Sequence, residues 1–189
     1  MKRTFIATKI SPGHKLLNTY RYIQKELENE KIKWVDSQQF HITLFFLGDT
    51  DEEQIPYIRS NLRELLTPFS AFNIHLSGLG VFKNINKPRV LWTGIHQFER
   101  MKELKIQIDR QMEVLGFTPE KREFKPHLTL ARIKWLDNKK KLENLLNQYK
   151  NENFHEVTIN EIIYFESILK PQGPVYNPIE KYTLLDSGQ

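Results

Sequence analysis

Two short segments of the chain repeat the same arrangement of a histidine and a threonine. His41-Ile-Thr-Leu recurs as His127-Leu-Thr-Leu, 86 positions later (127 − 41 = 86), in a chain of 189 residues. Because side chains on a strand alternate between its two faces, the histidine and threonine of each segment are predicted to share one face. Two such strands brought together would present two imidazoles and two hydroxyls to one small anion. That set suits acid–base chemistry at a phosphate.

The repetition matters because a single histidine on a strand is more often structural than catalytic. Burying a His–Thr pair on an apolar face costs desolvation free energy and does not obviously stabilise the fold. Finding the pair twice therefore favours a functional role for His41 and His127. The other histidines have no such support and are interpreted as structural or surface residues. They are His14, His75, His96 and His155.

Composition narrows the possible classes of protein. The chain is 39% hydrophobic and 27% charged, which is typical of a globular protein, and its net charge of +5 favours an anionic ligand without establishing nucleic-acid binding. The lack of cysteine excludes disulfides, thiolate nucleophiles and cysteine-ligated zinc. The apolar stretch at the start is too short for a signal peptide and no run is long enough to span a membrane, so a cytoplasmic protein without membrane association is expected.

Metal binding is the main rival interpretation of the histidine pair. A catalytic zinc usually takes three protein ligands, neither motif contains a carboxylate, and threonine is a poor zinc ligand but a good donor to phosphate. Glycine-rich P-loop and dinucleotide-binding patterns are absent, and no serine lies in a Gly-x-Ser-x-Gly context. The sequence therefore predicts chemistry with no metal and no cofactor, although a Ser–His–Asp nucleophile stays open.

Strand-like and helix-like segments alternate along the chain. Ser11 and Pro12 predict a helix start, Thr50 with Glu53 predicts a capping box, Pro56 allows a kink or a later start, and Gly116 predicts a helix end. Predicted strands are 4–10, 40–47, 72–82, 89–95, 127–133, 154–169 and 175–184, the last two around a turn at 171–174. Predicted helices are 12–29, 50–66, 99–115 and 138–150.

The segments around the two motifs follow a similar order of helix, strand and helix. This order indicates an internal duplication of an α+β unit. Because no Gly/Ser-rich linker separates the halves, residues 1–189 are predicted to form one two-lobed domain, with a cleft where the lobes join.

The motif residues and several further segments resemble the two-histidine phosphoesterases. The closer match is to the bacterial and archaeal RNA 2′,3′-cyclic phosphodiesterases, formerly described as 2′-5′ RNA ligases. The resemblance covers nearly the whole chain. Its segments are 3–7, 40–48, 80–82, 88–92, 116–122, 124–132 and 173–176.

The resemblance implies an α+β fold that is bilobal and pseudo-symmetric, with two antiparallel sheets flanking a central cleft and helices outside. The implied activity is metal-independent opening of a 2′,3′-cyclic phosphate to a 2′-phosphate, with 2′-5′ joining of RNA in vitro as the reverse-type reaction. The expected partners are RNA ends or nucleotides that carry this group, and a monomer is expected. The alternatives are a related phosphodiesterase for 2′-5′ oligonucleotides or ADP-ribose 1″,2″-cyclic phosphate, and a non-catalytic module that binds RNA ends.

By resemblance, His127 is the proton acceptor acting on water and His41 is the proton donor to the departing 3′ oxygen. The near-symmetry of the motifs leaves these roles interchangeable on sequence alone. Thr43 and Thr129 would donate hydrogen bonds to the non-bridging phosphate oxygens, where fixed donors are most effective in a dry cleft.

Three further residues are candidates for substrate binding. Arg132 and Phe46 each follow their histidine by five positions, and an odd offset places them on the opposite face of a regular strand unless a bulge intervenes. The resemblance favours phosphate contact for Arg132, whereas core packing is favoured for Phe46. Tyr176 is interpreted either as a wall of the nucleoside pocket or as a plain turn aromatic.

Basic residues cluster on both sides of the second motif. They could guide an RNA end towards the cleft or form an ordinary solvated face. They are Lys121, Arg122, Lys125, Lys134, Lys139, Lys140 and Lys141.

Overall fold

A computed structural model describes residues 1–171 and 173–186. Its helices and strands follow one another in an α+β order. They are β1 (Lys2–Lys9), α1 (His14–Glu26), β2 (Lys31–Trp34), β3 (His41–Thr50), α2 (Ile55–Leu66), β4 (Phe72–Phe82), β5 (Val90–His96), α3 (Glu99–Val114), β6 (His127–Trp135), α4 (Lys139–Gln148), β7 (Asn153–Ile159), β8 (Glu161–Lys170) and β9 (Gly173–Thr183).

The strands form two antiparallel sheets, as the sequence predicts. Sheet A has the order β3-β1-β8-β9, and sheet B has the order β2-β6-β5-β4-β7. The first motif strand, β3, is an edge strand of sheet A. The second, β6, lies inside sheet B between β2 and β5. The two motif strands are in contact where the sheets meet, so the two motifs face one cleft.

The duplication is visible in the strand pairing, but the two halves of the chain exchange strands. In sheet A the motif strand pairs with β1, which pairs with β8; in sheet B the motif strand pairs with β5, which pairs with β4. In sheet B the third strand is β4, which follows the first motif strand and α2 in the sequence. In sheet A the third strand is β8, which follows the second motif strand and α4. Each sheet is therefore built from both halves of the sequence.

The helices cover the outer faces of the sheets. Helices α2 and α3 contact sheet A, and α1 and α4 contact sheet B. The apolar stripe of the first helix is buried against this core through Leu16, Tyr20, Ile23 and Leu27. A second, smaller apolar cluster lies on sheet A and is formed by Phe5, Ala7, Ile163 and Phe165, with Tyr176 packed against it. These side chains alternate with the main core residues along their strands, so the cluster lines the opposite face, towards the cleft.

Two predicted helix starts are wrong, since both helices begin later than predicted. Helix α1 begins at His14 rather than at Pro12, and the backbone N–H of Gly13 donates to Nε2 of His155 at 3.0 Å while Gly13 is still extended. Helix α2 begins at Ile55, after a short 3-10 turn, and Pro56 lies in its first turn. The later start that Pro56 allows is the one observed.

Two strand predictions also differ from the structure. The short edge strand β2 was not predicted, because its four residues carry two lysines and show little apolar pattern. The predicted strand 154–169 is two strands, β7 and β8, which break at Asn160 and belong to different sheets. The predicted turn at 171–174 includes Gln172, which lies outside the described residues. None of the described helices is long and apolar enough to cross a membrane.

Candidate active site

Both motif strands contain a β-bulge directly after the threonine. In the pairing of β1 with β3, Ile6 faces Phe45 and Ala7 faces Thr43, so Leu44 has no cross-strand partner. In the pairing of β5 with β6, Ala131 and Thr129 face successive residues, so Leu130 is the extra residue.

The bulges change which residues face the cleft. Two consecutive side chains are buried in each strand, Leu44 with Phe45 and Leu130 with Ala131. After the extra residue the alternation resumes one position late, and the side chain five positions after each histidine returns to the histidine's face. Both His–Thr pairs are half-buried and lie on the cleft face, as predicted.

A backbone carbonyl fixes each imidazole in the same way. Nδ1 of His41 lies 2.7 Å from the carbonyl oxygen of Gln39, and Nδ1 of His127 lies 2.9 Å from that of Lys125. Because a carbonyl oxygen only accepts, Nδ1 carries a hydrogen and donates in both rings. In the neutral form of either histidine, Nε2 is therefore the unprotonated nitrogen that can exchange a proton with a ligand.

Aromatic rings enclose His41 on the sheet A side of the cleft. The ring centroid of Tyr176 lies 5.0 Å from that of His41 in an edge contact, and the Phe5 centroid lies 5.4 Å away. Phe5 stacks in turn on Phe165 at 5.1 Å. The sequence did not single out Phe5 or Phe165, whose only signal is their alternation along their strands.

On sheet B the aromatic contact of His127 comes from a neighbouring hairpin. Phe82 meets the imidazole edge-on, with 4.6 Å between centroids, and Trp92 packs behind Phe82 at 5.4 Å. The Trp92 ring lies over Gly80, where an added Cβ would come within 2.3 Å of it. Only a glycine at position 80 leaves room for the Trp92 ring. Because Trp92 packs against Phe82, and Phe82 contacts His127, this glycine helps to position the imidazole.

Both histidines are easier to deprotonate than an ordinary histidine. Burial lowers the pKa of His41, and the charges of Arg132 and His127 lower it further, against a hydrogen bond to Gln39 that raises it. Burial likewise lowers the pKa of His127, with a further lowering by Arg132; the Lys125 carbonyl and the charge of Glu120 act in the opposite direction. Arg132 is therefore within electrostatic range of both imidazoles.

The bulge places Arg132 on the cleft face. Its charge also opposes the burial that raises the pKa of Tyr176, so the guanidinium acts on groups of both sheets. The bulge that the odd offset required is present. Phosphate contact by Arg132 stays a prediction.

The interpretation of Phe46 as a core residue is wrong. Its side chain is 62% exposed, because the bulge at Leu44 turns it out of the core and towards the cleft. Its ring centroid lies 5.8 Å from that of Phe5, and Phe46 forms part of the rim of the large cavity described next. Tyr176, by contrast, is half-buried against His41, Phe5 and Phe165.

Two cavities open beside the histidines, one on each side. The larger, of about 950 Å³, touches both motif strands through Thr43 and His127 and extends along α3 and the segment before β6. Its far wall includes Lys105, Glu120, Arg122, Glu123 and Phe124. The smaller, of about 140 Å³, lies next to His41 and is lined also by Gln39, Lys9, Lys181 and Tyr176.

Only part of the predicted basic cluster lies at the cleft. Arg122 and Lys125 line the large cavity. Nζ of Lys125 lies 3.8 Å from Oε2 of Glu123, so its charge has a nearby carboxylate partner. The lysines of α4 are on the outside of sheet B, where Lys140 pairs with Glu143 and Lys141 pairs with Glu26.

The other four histidines line neither of these two cavities. His75 pairs with Glu156 at 2.9 Å on sheet B, and His155 accepts from the backbone before α1. Within residues 1–171 and 173–186, no three His, Asp or Glu side chains converge in a manner that could hold a metal ion.

Known proteins match this chain over most of its length. It is 38% identical over 159 residues to the RNA 2′,3′-cyclic phosphodiesterase of Methanocaldococcus jannaschii, covering 84% of this chain and 88% of that protein. It is 32% identical over 184 residues to the protein of the same name from Methanothermobacter thermautotrophicus, covering 96% and 98%. A crystal structure of a Thermus thermophilus protein superimposes with a TM-score of 0.80 at 27% identity, covering 98% of this chain and all of that one.

The family assignment agrees with the duplication seen in the sheets. The sequence model of the family described as "LigT like Phosphoesterase" matches two consecutive segments, residues 10–92 and 96–176. Each segment contains one His-x-Thr strand. The chain belongs to the LigT-like phosphoesterase family.

Proposed function

We propose that this protein hydrolyses RNA and nucleoside 2′,3′-cyclic phosphates to 2′-phosphates without a metal ion. The observation that carries the proposal is the pair of imidazoles at one cleft, each fixed through Nδ1 so that Nε2 is left for proton exchange. Relatives named RNA 2′,3′-cyclic phosphodiesterase support the choice of substrate. The proposal takes residues 1–189 as one two-lobed domain.

The reaction requires a base on one side of the phosphorus and an acid on the other. His127 takes the proton of the attacking water through Nε2, and His41 donates a proton to the 3′ oxygen as the P–O3′ bond breaks. This assignment follows the family resemblance. One histidine must start neutral and the other protonated, and the lowering of the pKa of His41 by the charges of Arg132 and His127 disfavours two protonated rings.

The remaining site residues hold the phosphate. Thr43 and Thr129 donate to its non-bridging oxygens from the same faces as the histidines. Arg132 neutralises the charge that builds on those oxygens as water attacks. Fixed donors and a cation in a partly dry cleft stabilise this charge more than water does.

Phe46 and Tyr176 contact the nucleoside in different ways. Phe46 is an exposed ring at the rim of the large cavity, and a base can stack on its open face. Tyr176 packs edge-on against His41 and forms the wall of the small cavity. It therefore bounds the nucleoside site and restrains the ring of the proton donor.

The protein acts as a cytoplasmic monomer on RNA ends in this proposal. Arg122 and Lys125 at the large cavity are the basic residues placed to meet the approaching RNA. The lysines of α4 are not, because they lie on the outer side of sheet B.

The test is turnover of a nucleoside 2′,3′-cyclic phosphate in excess chelator, with the phosphate position of the product determined. A 2′-phosphate formed at an unchanged rate with chelator supports the proposal. Loss of turnover on chelation contradicts the metal-free reaction. Turnover confined to 2′-5′ oligonucleotides or ADP-ribose 1″,2″-cyclic phosphate assigns a related activity, and tight binding without product assigns a binding module.

A further inference from the structure

The large cavity has a buried cation in its far wall. Lys105, on α3, is 8% exposed, yet it lines the cavity together with Thr43 and His127. Its ammonium lies 5.4 Å from the ring centre of Phe45 and 5.8 Å from that of Phe124. Phe45 is two residues after Thr43, at most about 7 Å along the strand, and its own side chain is buried on the face opposite Thr43.

Packing alone does not account for a lysine here. Hiding an ammonium group costs free energy, and an apolar side chain of similar length would fill the space between two rings without that cost. Asp109, four residues further along α3, forms an ion pair with Lys105 and orients its amine. An ammonium has three N–H donors, so this pair leaves donors for a ligand in the cavity.

Two carboxylates of this wall have the opposite character to the cations Lys105 and Arg122. Glu120 and Glu123 line the same cavity and only accept hydrogen bonds when ionised. The wall thus combines the donor cations Lys105 and Arg122, acceptor carboxylates and the ring of Phe124. A ligand that fits has a flat face, an edge with acceptors and an edge with N–H donors.

Among the four RNA bases, guanine has this pattern. Its O6 and N7 are adjacent acceptors that suit a lysine, whereas adenine and cytosine present an amino group at the corresponding position. Its N1–H and 2-amino group are donors that suit carboxylates. Uracil offers an oxygen but no N7, and a cavity of about 950 Å³ has room for a purine.

We propose that Lys105 is a specificity-determining residue that selects guanine at the cyclic phosphate end, with the base lying between Phe46 and Phe124. The inference rests on the proposed function, since it assigns the base pocket of the same site.

The test compares kcat/KM for the four nucleoside 2′,3′-cyclic phosphates. The wild-type protein is expected to favour the guanosine substrate over the adenosine substrate by about tenfold, the size of one base-specific contact. Lys105→Met keeps the apolar stem between the two rings and should bring this ratio close to one. The fall in the ratio should come from slower turnover of the guanosine substrate, which carries the acceptors that Lys105 contacts.

Lys102→Met is the matched control, because Lys102 is exposed on the same helix three residues earlier. It removes the same charge and should leave the ratio unchanged. The ratio is measured within one preparation, so a partly unfolded variant does not alter it.

The outcomes separate this inference from the proposed function. Equal turnover of all four substrates, or a guanosine preference that survives in Lys105→Met, overturns the role of Lys105 and leaves the activity standing. No turnover of any of the four overturns the proposed function itself.

Discussion

The two motif strands share a backbone arrangement but differ in the residues that surround them. In β3 and in β6 the histidine donates Nδ1–H to the carbonyl two residues earlier, and a bulge follows the threonine. These common features place an imidazole and a hydroxyl on one face and turn the fifth residue back towards the cleft. The repeated unit therefore specifies the geometry of proton exchange.

The two strands differ in the side chains that they present to the cleft. After the bulge, β3 presents the exposed ring of Phe46 and β6 presents the charge of Arg132. His41 sits among Phe5 and Tyr176 on an edge strand, whereas His127 touches Phe82 and belongs to a strand inside sheet B. Two copies of one arrangement thus provide an aromatic side and a cationic side of the cleft, which the proposed function assigns to the nucleoside and to the phosphate.

The largest expected effect is the loss of either half of the acid–base pair. His41→Ala and His127→Ala should each lower kcat by about a hundredfold to ten-thousandfold, the usual range for removing a general acid or base. Steady-state rates with a nucleoside 2′,3′-cyclic phosphate measure this. His75→Ala is the control and should stay near wild type, since His75 pairs with Glu156 and lines neither cavity. If kcat fell only slightly in one of these two variants, the two motif strands would not contribute equally to catalysis.

The next effect concerns the cationic side. Arg132→Met should lower kcat/KM by about a hundredfold, because it removes the cation held near the phosphate. Lys140→Met is a suitable control, since it removes a cation of α4 on the outer side of sheet B, where Lys140 pairs with Glu143. A loss equal to that of the control would show that Arg132 does not contact the phosphate.

The aromatic side should have a smaller effect. Phe46→Leu should raise KM for a base-bearing substrate by about tenfold, within the range for loss of one base stack, and leave kcat nearly unchanged. Tyr57→Leu alters another exposed aromatic residue on the outer helix α2 and should change neither constant. A fall in kcat without a change in KM would place Phe46 in the chemical step.

The smallest effect is a shift of histidine titration. Because Arg132 lowers the pKa of both His41 and His127, Arg132→Met should raise both pKa values, and each ring should then keep its proton to higher pH. NMR titration of the imidazoles measures this in the absence of substrate. If only one histidine shifts, Arg132 acts on one sheet and not across the cleft.

The sequence predicted the active-site strands better than their connections. The His–Thr spacing specifies a shared face in any strand, and both motif strands have it. Regular alternation along the strand predicts that Phe46 packs in the core, and this is wrong. The bulge at Leu44 changes its face, and no residue type in the sequence marks that bulge. The same bulge in β6 places Arg132 in the cleft, which the resemblance favoured and periodicity opposed.

Other features depend on contacts between distant parts of the chain. The later start of α1 follows from the bond between Gly13 and His155, 142 residues apart. The break at Asn160 sends two consecutive strands to different sheets, and a continuous β-like pattern does not reveal it. The carbonyls of Gln39 and Lys125 also carry no sequence signal, because any residue supplies one.

The most direct test of the paired roles is the dependence of kcat/KM on pH. The wild-type protein should give a bell with its optimum below pH 6.5, because both histidine pKa values are lowered from that ordinary value. Residual activity of His41→Ala should lose the alkaline limb, which reports the acid, and that of His127→Ala should lose the acidic limb, which reports the base. A single limb in the wild type, or a bell that survives in both variants, would contradict an acid–base pair formed by the two His-x-Thr strands.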